Sequence, residues 1–178
     1  MTPGIEVRLA SVLHGLRDVI FPAIDPGEAL AVEQSGLILA QLTMLLKQLP
    51  YADSYHRLCR DDARTTAAAI VAYPAGGPRS LTAAAVLAAL LAEPGADDPR
   101  ANYLALAEGI ARLTTAVFED AEPGWRARVD AAVLAFSSRQ NRRERVWFKD
   151  AGFDPDPGEL LDLADMCAAA IPPLAKER

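Results

Sequence analysis

The residues best placed to do chemistry lie in "SSRQNRRERVWFKDAGF", residues 137–153. At 100° per residue, Trp125, Val129, Ala132, Val133 and Phe136 share one helix face. The same face then meets Arg139, Gln140 and Arg143, followed by Val146 and Trp147. Guanidinium forks on an otherwise apolar face suit a carboxylate or phosphate, and an indole beside them can act as a stacking wall. Arg139, Gln140, Arg143 and Trp147 are therefore the candidate ligand-binding residues. Plainer causes give the same pattern. The helix can bend where Ser137 and Ser138 bond back to carbonyls. A long helix can outrun its bundle, arginine stems can snorkel over apolar surface, and structural ion pairs imitate ligand sites.

Other groups give weaker signals. His14 and His56 are the only histidines, and neither has the Glu-x-x-His or His-x-x-x-His spacing of a helical metal site; no metal is expected. Cys59, in "HRLCRDD", and Cys167 form no CxxC pair and read as buried free thiols. The acidic pairs Asp61–Asp62 and Asp97–Asp98 read as solvated surface or helix-cap groups. "PAGGPRS", residues 74–80, precedes a helix start whose amides suit an anion, but it lacks the P-loop lysine. There is no GxSxG elbow and no Gly-rich dinucleotide turn. No catalytic residue and no cofactor is assigned.

The 178 residues carry a net charge of −6, which argues against nucleic acid as a partner, because such binding needs a positive surface. Residues 123–150 nevertheless carry +4, leaving −10 elsewhere. The start of the chain lacks a signal-peptide apolar core. The apolar run Leu81–Ala92 is short of the roughly 20 residues needed to cross a bilayer. A soluble, cytoplasmic protein with no membrane contact is the expectation.

Few aromatics and much alanine favour closely packed helices. One all-α domain is expected over residues 1–178, an antiparallel helical bundle of about six or seven helices. The segments are about 3–21, 26–48, 52–72, 80–92, 98–119, 123–149 and 157–171. "DPGE" at Asp25–Glu28 and Asp156–Glu159, "DDPRA" at 97–101 and "EPGW" at 122–125 place proline where a helix tolerates it, at its first turn. Ile5, Leu9, Val12, Leu16 and Val19 form one stripe, and Tyr103, Leu106, Ile110, Leu113 and Val117 another. Residues 30–49 are apolar over more than half the helix circumference, and residues 81–92 carry no charge. Both helices are expected to be central or covered by a partner.

Leu9–Leu49, with "LRDVIFPAI" at residues 16–24, resembles uncharacterised bacterial helical proteins encoded near phosphotransferase-like and acyl-CoA dehydrogenase-like enzymes. The resemblance covers under a quarter of the chain and implies an accessory role. The sequence as a whole points to a non-catalytic bundle acting through self-association, as a homodimer or other homo-oligomer, or through docking on a partner protein. The alternative is a small anionic ligand held by the arginines of the sixth helix.

Overall fold

The computed structural model describes residues 3–92 and 97–168. Within them the chain is all-α. Its helices are α1 (Ile5–Gly15), α2 (Ala29–Gln48), α3 (Ala52–Val71), α4 (Pro78–Ala92), α5 (Pro99–Asp120), α6 (Pro123–Trp147) and the short α7 (Leu163–Ala168). The backbone forms two compact units, Met1–Ala52 with Arg145–Leu163, and Asp53–Glu144 with Ala164–Arg178.

The second unit holds the larger core. Ala63, Ala67 and Ile70 of α3, Ala84 and Leu87 of α4, Leu106, Ile110, Leu113 and Val117 of α5, and Trp125, Val129 and Phe136 of α6 pack together. The α5 stripe is buried as its spacing predicts, with Tyr103 partly covered. Gly109 lets α5 approach α4: a Cβ there would lie 2.8 Å from Leu87 Cδ1. The other side of α4 stays open, with Leu81 and Val86 exposed.

Proline opens α4, α5 and α6, and Asp98 caps α5 by accepting from the amides of Arg100 and Ala101. Neither "DPGE" works this way. Asp25 Oδ1 accepts the Gly27 amide at 2.8 Å, which folds a local turn instead of capping a helix. α2 starts only at Ala29. At Pro157–Glu159 a single 3₁₀ turn forms, and α7 begins at Leu163; residues 169–171 of the expected last helix lie outside the described residues.

"PAGGPRS" is stapled to the α5–α6 connection. Gly77 N–H donates to the Asp120 carbonyl at 2.8 Å, and Glu122 N–H to the Ala75 carbonyl at 2.9 Å. The Asp120 carboxylate accepts from the Arg79 amide at 2.8 Å and the Ser80 amide at 2.9 Å. The anion at this helix start is thus the protein's own. The Ser80 hydroxyl and these two amides hold the Asp120 carboxyl below its ordinary value, against a smaller opposing effect of burial. A Cβ at Gly76 would sit 2.7 Å from Ala121 Cα. Gly76→Ala must therefore move backbone, and urea titration should show a loss of about 1–3 kcal/mol.

The first unit contains α1, α2 and the segment after α6. Leu16–Ile20 is wound as a π-helical turn, with Phe21 N–H bonded to the Leu16 carbonyl, ahead of Pro22, which has no amide hydrogen to give. Only part of the expected α1 stripe faces inward: Leu9 and Leu16 are partly covered, Ile5, Val12 and Val19 are exposed, and Leu13, outside the stripe, is the α1 residue that is buried. From the last turn of α6, Arg145 grips Asp154 through two hydrogen bonds of 2.8 and 3.0 Å.

Candidate functional site: a buried polar cluster

α6 runs as one helix from Pro123 to Trp147. Ser138 Oγ does bond back to the Leu134 carbonyl, at 2.9 Å, and the helix continues through it. Gln140 and Arg143 are therefore buried, as is Phe136 one turn before them, and Arg139 lies at the edge.

These side chains meet a stripe of α3 at spacings of four, three and four: Tyr55, Cys59, Asp62 and Thr66. Arg143 Nη2 donates to Asp62 Oδ2 at 2.6 Å, and its Nε and Nη2 donate to Gln140 Oε1 at 3.1 and 2.9 Å. Arg139 Nε donates to Asp62 Oδ1 at 2.9 Å, and Arg139 Nη2 reaches Thr66 Oγ1 at 3.3 Å. Gln140 Nε2 donates to Glu144 Oε1 at 2.9 Å and approaches the Tyr55 hydroxyl at 3.4 Å. The Asp62 and Arg143 side chains are only 14% and 10% exposed, whereas Arg139 is 48% exposed.

Asp62 is the residue that sequence reasoning missed, having been read with Asp61 as solvated. Its signal was available, since it continues the Tyr55–Cys59 side of α3. Every buried side-chain nitrogen and oxygen among the described residues has a hydrogen-bond partner. The polar groups of the cluster thus satisfy one another, with Asp62 paired to both arginines and Gln140 occupying the rest of the Arg143 fork.

Charge in the cluster follows from burial and pairing. Burial would raise the Asp62 carboxyl, but hydrogen bonds from Arg139 and Arg143 and their charges outweigh it and hold the group below its ordinary value. Burial pushes the Cys59 thiol up, only partly offset by the Arg143 charge and by hydrogen bonds with Tyr55, Gln140 and Arg143. Tyr55 is raised by burial and then by Cys59. Cys167, also buried in this unit, is raised by burial and then by Cys59. A protonated, enclosed thiol is a poor nucleophile. Both cysteines are free. They are expected to resist a disulfide reagent at neutral pH in the native protein and to react together once it is unfolded.

Trp147 belongs to the first unit. Its carbonyl accepts Gln48 Nε2 at 2.8 Å, and it helps line an open pocket of about 390 Å³ with Met44, Lys47, Lys149, Asp150 and Asp162. The charges there pair with one another, Lys47 with Asp150 at 2.8 Å and Lys149 with Asp162 at 3.1 Å.

His14 makes an exposed contact of 2.7 Å with Asp18, and the His56 ring meets Tyr55 edge-on. Among the described residues no three metal-ligating side chains gather. No protein-family model matches the chain, and neither does any curated protein or solved structure.

Proposed function

We propose that this chain is a non-catalytic helical protein that works by docking on protein, through the face formed by α1 and α2. One observation carries this reading. Among its described residues the first unit buries only Leu13, Met44 and Val146 as apolar groups, yet eight large aliphatic side chains between Ile5 and Leu45 stay 49–70% exposed, apart from Val7 on the opposite side of α1. At roughly 90 Å² for each half-exposed side chain, they present about 700 Å², close to the ~800 Å² each partner gives to a stable protein interface. The largest apolar patch of an ordinary monomer covers only about 300–600 Å².

A protein fits this face better than a lipid bilayer. The helical run Ala29–Val71 is long and apolar enough, by length and composition, to cross a membrane. However, Glu33 and Lys47 bracket a charge-free stretch of only 13 residues, about 20 Å of helix at 1.5 Å per residue. The hydrocarbon core is roughly 30 Å thick. Residues 3–48 also carry three basic side chains against five acidic ones, which opposes lying on an anionic lipid surface. The accessory role implied by the resemblance of residues 9–49 agrees with docking.

A photo-crosslinking amino acid at position 38, installed in the cells that express the chain, tests the proposal. A discrete protein adduct at 38, missing when the same group stands at exposed position 142, is expected. No adduct at 38, or equal labelling at both positions, contradicts it.

The second reading, an anionic ligand at Arg139, Gln140 and Arg143, draws support from their gathering in one cluster. Such a ligand has to displace Asp62 from two guanidinium groups. Inorganic phosphate, nucleotides and CoA esters are therefore expected to leave the thermal midpoint unchanged. A midpoint raised by one of them and no longer raised in Arg143→Lys would restore this reading.

A further inference from the structure

We propose that the protein docked on the α1–α2 face is a second copy of this chain, in a twofold contact centred on the uncharged stretch of α2. This rests on the docking reading above and names its partner.

Three features of the first unit carry the inference. The hairpin has a receptor of its own: Leu16, Ile20, Phe21, Ile38 and Leu39, with Ser35, line an open groove of about 220 Å³. Beside it the same helix offers projecting groups. Ile38, at the groove's edge, and Leu45, two turns further on, lie within about 20° of one another on α2, and both are exposed. One copy thus carries both the groove and the side chains suited to fill it, which is what a twofold contact requires, since the same patch serves both partners.

The third feature is charge. A twofold contact normally risks bringing identical charges together, because each group near the axis meets its own copy. Residues 34–46 contain no Asp, Glu, Lys or Arg, so two copies of a −6 chain meet there without that penalty. The eight exposed aliphatic groups on this face supply nearly the area each partner gives to a standard interface.

Sedimentation velocity on the full chain across the micromolar range tests the inference. A species of twice the 19.0 kDa chain mass is expected, growing with concentration. Ile38→Glu should weaken its association at least tenfold, equivalent to about 1.4 kcal/mol. Ile38→Ser gives a milder second variant should the glutamate disturb folding, and circular dichroism confirms that helicity is kept. Leu134→Glu, at an exposed aliphatic position on α6, should leave association unchanged.

A monomer throughout the range, or a dimer indifferent to both changes at position 38, overturns the second copy. Flotation of the chain with phosphatidylcholine vesicles in place of dimerisation overturns it as well. If position 38 then crosslinks to a different protein, the docking reading survives and only its partner changes. If position 38 crosslinks to nothing, both fall.

Discussion

Trp125→Ala is expected to cost about 3–5 kcal/mol of folding stability, the largest loss from any single side chain of the second unit. Trp125 is almost wholly enclosed among α3, α5 and α6 residues. Its Nε1–H donates to the Ile70 carbonyl at 2.9 Å. Removing the indole opens a cavity that close-packed neighbours fill only in part, and it strips a buried carbonyl of a donor. A drop of about 10 °C in thermal midpoint follows at 2–4 °C per kcal/mol for a chain of this size. Trp125→Phe keeps most of the volume and loses the donor, so it should fall between the two. Equal midpoints for Trp125→Ala and the parent would mean that this core is not the one that holds the unit together.

Asp62→Ala comes next, at about 3 kcal/mol. The loss arises less from the pair itself than from what remains, because Arg143 keeps its charge in a nearly dry setting, facing Gln140 and the Cys59 thiol in place of a carboxylate. Replacing Asp62 and Arg143 together, by leucine and methionine, should recover most of the stability, since a buried pair and a well-packed apolar substitute are often nearly equivalent. A double-mutant cycle measures the difference. The same carboxylate sets a pH dependence. Its folded value is depressed, so its contribution is complete above the unfolded value of about 4 and fades as pH falls through and below it. Thermal midpoints should therefore drop on acidification below about pH 4, and Asp62→Asn, less stable at neutral pH, should show a shallower drop.

Much of this architecture is legible in the sequence, and where it is not, local chemistry competes with the pattern. The α5 stripe is buried because four- and three-residue steps leave one face, and both neighbours of that face belong to the same unit. On α1 the identical pattern leaves Ile5, Val12 and Val19 exposed; periodicity says which side is apolar, not whether the chain itself covers it. The face of α6 carrying Gln140 and Arg143 can be read correctly from a continuous 100° step. Its counter-charge takes a second step, placing Asp62 on the Tyr55–Cys59 side of α3, and the adjacent exposed Asp61 obscures it. "DPGE" misleads at Asp25 for a related reason, and at the second occurrence it is Asp154, outside the motif, that accepts the Asp156 amide. An aspartate that accepts an amide two residues on makes a turn, while the same residue accepting at the second and third helical amides makes a cap, as Asp98 does.

Amide hydrogen exchange across residues 30–46, compared between the concentrated and highly diluted native chain, addresses the docked face most directly. Exchange at least tenfold slower in the concentrated protein is expected, with the amides of α5 unchanged, because the proposed contact between copies covers the aliphatic side of α2. Equal rates at both concentrations would contradict self-docking and leave α2 with an apolar side facing water.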